Sequence, residues 1–156
     1  MKRAFSLLIC FVLMFSLAGC FQNQSDMPFN GDITFHQIKM TIPSEFIRDS
    51  VQSSEDTWLF EQGWYKKTIV IMRSQIQDDP TAYINAYASG LQNKQIQSET
   101  GEFIGYPAAK SSATRENGVF WQELSFVVDG NFYAVALNGG TETEFLALID
   151  TISIVL

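Results

Sequence analysis

The chain has 156 residues, 46% of them hydrophobic, with 10 basic against 17 acidic side chains and a formal net charge of −7. That length supports one ordinary domain with its own core. The acidic balance excludes the basic footprint that nucleic acids require and a polybasic grip on anionic lipid.

Lys2 and Arg3 precede an uncharged apolar run of 14 residues, Ala4 to Leu17. A membrane-spanning helix needs about 20 such residues, so this run is too short for a permanent span. With the small pair Ala18-Gly19 it reads as a signal peptide over residues 1–19. Its end, Leu17-Ala18-Gly19-Cys20, resembles the lipobox of bacterial lipoprotein precursors. The resemblance implies that the Cys20 sulfur receives a diacylglyceryl group and that the chain is cut before it. The new amino terminus then carries the lipid anchor, palmitate among its acyl groups.

Cys10, the only other cysteine, falls in the removed segment, so the mature domain has neither free thiol nor disulfide. Cysteine nucleophiles, thiol redox chemistry and cysteine-ligated metals are excluded together. Cleavage leaves 137 residues with 8 basic and 17 acidic side chains, a formal charge of −9. Acyl chains therefore hold the membrane, and two or more suffice where one is marginal. Residues 20–32, the lipidated cysteine followed by a stretch rich in Gln, Asn, Ser, Pro and Gly, read as a tether with a typical span of about 18 Å. The domain is expected to stay beside its bilayer. Phe21 replaces the Asp associated with inner-membrane retention, which favours the outer membrane in a diderm host and the outer face of the cell membrane otherwise.

Residues 33–156 read as the folded domain. Ile38, Met40 and Ile42 alternate with Lys39 and Thr41 at the period of a half-buried strand, which Pro43 ends; Ile33 and Phe35 begin that strand or a preceding one. After a polar stretch from Asp49 to Asp56, the segments Thr57–Gln62 and Lys67–Ser74 flank Gly63 as a hairpin. The continuous apolar run Ile69-Val70-Ile71-Met72 predicts a strand covered on both faces. Asp79-Pro80 supplies an N-cap and a first-turn proline for a helix to about Gln92, with Tyr83, Ile84, Tyr87, Ala88 and Leu91 on one apolar face. Ile96–Phe103 and the more polar Ala108–Arg115 follow as strands, the latter near an edge. Asn117-Gly118 and Asp129-Gly130 suit tight hairpin turns, which places Val119–Val128 and Asn131–Leu137 in an antiparallel meander. After Gly139-Gly140, Thr141 caps a helix over Glu142–Asp150, with Glu144 at capping-box spacing and Phe145, Leu148 and Ile149 on its buried side. Ile152, Ile154 and Leu156 read as a short closing strand.

The fold class is α+β: an antiparallel sheet of about six or seven strands with helices on both faces. The stretch Ile38-Lys39-Met40-Thr41-Ile42-Pro43, the Thr68–Met72 run, the Gly105-Tyr106-Pro107-Ala108 turn, the meander and the terminal Phe145–Ile154 helix and strand resemble the DcrB-like lipoproteins. These belong to the wider PsbP-like fold, an α/β/α sandwich. The resemblance covers about Ile33 to Leu156 and rests on core and turn residues. It implies no catalytic motif and no cofactor.

His36 is the only histidine and has no second histidine or carboxylate at ligand spacing, so it reads as a surface or strand-edge residue. Asp78-Asp79 and Glu142-Glu144 sit where helix starts favour negative charge, and neither has the alternating oxygens and glycine turn of a calcium loop. No metal site is expected. No nucleophile elbow, phosphate loop or zinc-protease helix occurs. Trp58, Phe60, Trp64 and Tyr65 form the most aromatic segment. Trp58 and Phe60 share a strand face as core residues, whereas Trp64 and Tyr65 point to opposite faces and make a candidate contact patch for a partner or the bilayer interface. The leading expectation is a non-catalytic envelope lipoprotein that binds an envelope protein. Its competitors are a small-ligand binder whose pocket lies between sheet and helix, motivated by Tyr83, Tyr87 and the many phenylalanines, and an enzyme with dispersed residues.

Overall fold

The computed structural model describes residues 31–63, 67–114 and 118–155. Cys20 and the tether as far as residue 30, Trp64, Tyr65 and Asn117 lie outside the described residues, whereas Gly31 and Asp32, read from the sequence as the end of the tether, belong to the first strand.

Two antiparallel sheets meet face to face around one core. The smaller is built from β1 (Gly31–Phe35), β2 (Ile38–Ile42) and the closing β10 (Ser153–Ile154), in the order β1-β2-β10. Ile33 and Phe35 thus form a strand of their own, turned back onto β2 at His36-Gln37, so that Phe35 pairs with Ile38 and Gly31 with Ile42. The apolar residues of β1 and β2 all face inward, as their period of two requires.

The larger sheet has seven strands: β3 (Ile47–Asp49), β4 (Thr57–Gln62), β5 (Lys67–Gln75), β6 (Gln97–Phe103), β7 (Tyr106–Thr114), β8 (Phe120–Val128) and β9 (Asn131–Asn138). Their order is β3-β4-β5-β9-β8-β7-β6, antiparallel throughout, with β9 at the centre. Strands β6 to β9 form a sequential meander, and β5 pairs with β9 across the connection that carries helix α1 (Pro80–Gln92).

Alternation along β9 divides the core. Tyr133, Val135 and Leu137 face the small sheet and helix α2 (Glu142–Ile149), which contributes Phe145, Leu148 and Ile149. Phe132 and Ala134 face α1, which contributes Ile84, Tyr87, Ala88 and Leu91. The helices therefore lie on opposite faces of the large sheet. In β5, Ile69 and Ile71 enter the first cluster and Met72 the second, while Val70 is only half-buried. Trp58 and Phe60 share the first cluster, and the Arg48 guanidinium lies 4.0 Å from the centre of the Trp58 ring.

Both helix starts follow their capping chemistry. Asp79 accepts a hydrogen bond from the Ala82 amide at 2.9 Å ahead of Pro80. Thr141 and Glu144 form the reciprocal capping box.

The structure departs from the sequence reading at two strands. β3 arises inside a stretch whose polar character hid it: three residues, none of them fully buried, pair with Leu59–Glu61. β7 begins at Tyr106, earlier than Ala108, because Phe103 pairs with Tyr106 around a two-residue Ile104-Gly105 turn. Pro107 is accommodated since the β7–β8 ladder starts only at Ala108. As expected from its polar character, β7 lies near the edge of the sheet, one strand inside β6.

Candidate functional site

Three places bring chemically capable side chains together among the described residues. The first is a cleft of about 210 Å³ between α2, the segment after β2 and the β5–β9 end of the large sheet. Pro43, Phe46, Ile69, Leu137 and Leu148 make it mainly apolar, and Lys67 and Glu144 form an ion pair at its wall. Glu144 is committed twice, accepting from Lys67 with one carboxylate oxygen and from the Thr141 amide with the other. The Lys67 hydrogen bond, reinforced by Thr141, holds its carboxyl down to about 2. The pair is thereby a fixed wall rather than a proton donor. The sequence-predicted role of Glu144 as helix cap is what the geometry displays.

The second place is a polar cluster at the opposite end of the sheets, around the β1–β2 turn. His36, whose backbone has φ +54°, receives a hydrogen bond on Nδ1 from Arg73 Nη1 at 3.0 Å and lies 3.0 Å through Nε2 from the Glu55 carbonyl. Arg73 also reaches Asp56 at 3.2 Å and donates through Nε to Asn131 at 3.0 Å. Asn131 and Tyr133 both donate to the Gln37 side-chain oxygen, at 3.0 and 3.3 Å. These bonds tie the small sheet to β4, β5 and β9. His36 thus has partners that its sequence neighbourhood lacks, and the guanidinium against its ring makes it a strut rather than a metal ligand. No group of three or more His, Cys, Asp or Glu residues suited to a metal ion occurs among the described residues.

The third place is buried beneath α1. Tyr87 donates to Glu123 Oε1 at 2.6 Å, and both residues are almost wholly buried, Glu123 at 1% exposure. Burial pushes the Glu123 carboxyl up to about 7 against the opposing effect of the Tyr87 bond. Burial, with the nearby Glu123, likewise drives the Tyr87 phenol well above its ordinary range. Beside Glu123 in the sheet is Ser111, which shares a hydrogen bond of 2.9 Å with Ser98. An acid with its proton held near neutrality is chemically capable. Here α1 seals it from any substrate.

The sequence reading did not find this pair. Its trace was the one charged residue of a long, largely apolar strand, together with a tyrosine on the apolar face of α1. Tyr83 and Tyr87, which motivated the expectation of a pocket between sheet and helix, pack on Phe132 with centroids 5.3 and 4.9 Å away, whereas the cleft described above lies between the sheet and the other helix, α2. Of the sequence-predicted site residues, Cys20, Trp64 and Tyr65 lie outside the described residues.

This arrangement of a seven-stranded antiparallel sheet between helices is the PsbP-like fold. The chain is similar to the solution structure of cyanobacterial PsbP (CyanoP) from Synechocystis sp. PCC 6803, with a TM-score of 0.55 and 10% identity over 89% of this chain and 99% of that one. It is also similar to a crystal structure from Bacteroides thetaiotaomicron, with a TM-score of 0.53 and 13% identity over 82% of this chain, and it spans 49% of that longer chain. At such identities the likeness is one of fold. The sequence matches no protein-family profile and no curated protein.

Proposed function

We propose that this chain is a lipoprotein of the bacterial cell envelope, of the DcrB-like kind, whose PsbP-like domain acts as a non-catalytic binding or assembly module. The observation that carries the reading is the run Leu17-Ala18-Gly19-Cys20 behind a short apolar segment and a basic start. The non-catalytic part draws support from the commitments of the ionisable groups. Glu144 and Asp79 cap helices, Arg73 braces His36, and Glu123 is closed in beneath α1. The cleft is smaller than the roughly 300–1,000 Å³ of ordinary small-molecule sites, which favours a protein partner over a metabolite. Trp64 and Tyr65, in the connection between β4 and β5, are the residues assigned to that contact.

The test is metabolic labelling with palmitate in the native host, comparing the natural chain with Cys20→Ala. The natural chain should take up label and mature, whereas the variant should stay unlabelled and accumulate as precursor. Unchanged maturation of the variant would remove the lipoprotein reading. In the same cells, crosslinking followed by isolation should recover a partner that the Trp64→Ala, Tyr65→Ala double variant loses.

A further inference from the structure

We propose that the outer edge of β6 takes up an extended segment of a partner protein that alternates basic and apolar side chains, adding a strand to the large sheet. β6 stands last in the strand order, and among the described residues its only ladder is the one with β7. Phe103 and Tyr106 close a two-residue turn and so form a hydrogen-bonded pair, from which the alternation of an antiparallel ladder follows. Glu99, Gly101 and Phe103 therefore direct their backbone groups to β7, whereas Ser98, Thr100 and Glu102 direct theirs outward. The Ser98 carbonyl displays that direction, since it accepts from Gln92 Nε2 of α1 at 2.7 Å. Beyond it, Thr100 and Glu102 each present an N–H and a C=O, the template that strand addition uses. Neither proline, lysine nor a bulge guards this edge.

Side chains along the strand describe the occupant. Gly101 lies mid-strand without a positive φ, and a Cβ there would meet nothing within 4 Å, so neither backbone nor packing inside the domain calls for glycine. A bare position that weakens its own strand suits the close approach of something laid across it. Ile104 follows in the turn, 52% exposed with φ +52°, next to the half-buried rings of Phe103 and Tyr106. Strain held at an exposed isoleucine fits a contact that a partner completes. Charge then selects that partner. Glu99 and Glu102 are exposed on opposite faces of the strand, and neither forms an ion pair among the described residues. Glu99 has Lys110 across from it in β7, whereas Glu102 has Pro107. A second copy would bring further carboxylates to this edge on a chain of net charge −7, while a lysine or arginine on one face of an incoming strand would meet Glu102. Its other face would lay apolar side chains across Gly101 and against Phe103. This surface lies on the far side of β9 from the β4–β5 connection, so the inference goes beyond the contact assigned to Trp64 and Tyr65.

The test uses the full chain in mild detergent and a fluorescent peptide of about ten residues that alternates lysine with valine, a glutamate and valine peptide serving as control. Fluorescence anisotropy should show the lysine peptide bound at least about tenfold more tightly. Hydrogen exchange on the natural chain reads the geometry without any substitution. The lysine peptide should slow exchange at the Thr100 and Glu102 amides and leave those of Glu99 and Gly101, already bonded to β7, as they were. Thr100→Pro removes an outward N–H without breaking the β6–β7 ladder, so it should weaken binding at least about tenfold in a domain that still melts cooperatively. Ile104→Asn should weaken binding as well, although it relieves strain in the turn. Equal affinity for the two peptides, unchanged affinity in both variants, or unaltered exchange at Thr100 and Glu102 overturns the proposal. Concentration-dependent dimers that Thr100→Pro abolishes would also overturn it and assign the edge to a second copy. None of these readouts depends on lipid at Cys20 or on Trp64 and Tyr65, so failure here leaves the proposed function untouched, and failure of palmitate labelling leaves the β6 edge untouched.

Discussion

A methyl group on Gly140 would stand 2.3 Å from Leu137 Cδ2 and 2.8 Å from its Cγ, inside the core cluster that holds α2. Leu137 can give way only by shifting towards the cleft it lines, so Gly140→Ala should destabilise the domain by about 1 kcal/mol through overpacking. A lower denaturant midpoint with unchanged slope would show it. Ile104 makes the opposite case. It is 52% exposed at the β6–β7 turn with φ +52°, a conformation that a branched β-carbon tolerates poorly and that asparagine accepts. Ile104→Asn should therefore raise stability, by about 1 kcal/mol, in thermal or denaturant unfolding. Neither effect was legible in the sequence. Gly139-Gly140 marked the end of a strand plainly enough, but the need for glycine at the second position comes from where Leu137 packs. Likewise the Gly105-Tyr106-Pro107 pattern announced a turn without saying which residue would occupy its left-handed position.

Helix α1 covers one face of the meander and closes over Glu123. Between pH 4.5, the ordinary value of the free carboxyl, and about 7, the folded chain keeps a proton that the unfolded chain has lost. Stability consequently falls as pH rises through that window, by an amount on the order of 3 kcal/mol when complete. Glu123 is bonded to Tyr87 from α1 and paired in the sheet with Ser111 from β7 and Ala136 from β9, none of them a cation that would offset its charge. Glu123→Gln should remove the slope, leaving the variant more stable than the natural chain at pH 8 and close to it at pH 4.5. Melting curves across that range check the prediction, and an unchanged slope in the variant would refute it. The elements themselves were largely readable, since Asp79-Pro80, Thr141 with Glu144, and the alternation in β2 act within a few residues. β3 was not, because a three-residue edge strand owes its existence to pairing with β4 rather than to any pattern of its own. The Glu123–Tyr87 pair was hidden for the same reason at longer range, its members being 36 residues apart and joined only by the docking of α1.

For the whole molecule, composition and turn chemistry announced an antiparallel α+β domain with helices on two faces. The division of the strands into two sheets depends on long-range pairing that no local signal encodes. The seam between β5 and β9 is the clearest instance: Thr68 meets Asn138 and Gln75 meets Asn131, across the length of α1 and the rest of the meander. A chain ending at Gly130 lacks the middle strand. It should show no cooperative unfolding transition and no near-ultraviolet circular dichroism of ordered aromatic rings. The seam also sets an order of events during synthesis. The strand at the centre of the large sheet is made after every other strand of that sheet, so the two halves wait as separate ribbons until residue 138 is available. Throughout that interval the β5 edge, with its run Ile69-Val70-Ile71-Met72, is an open template for any other strand nearby.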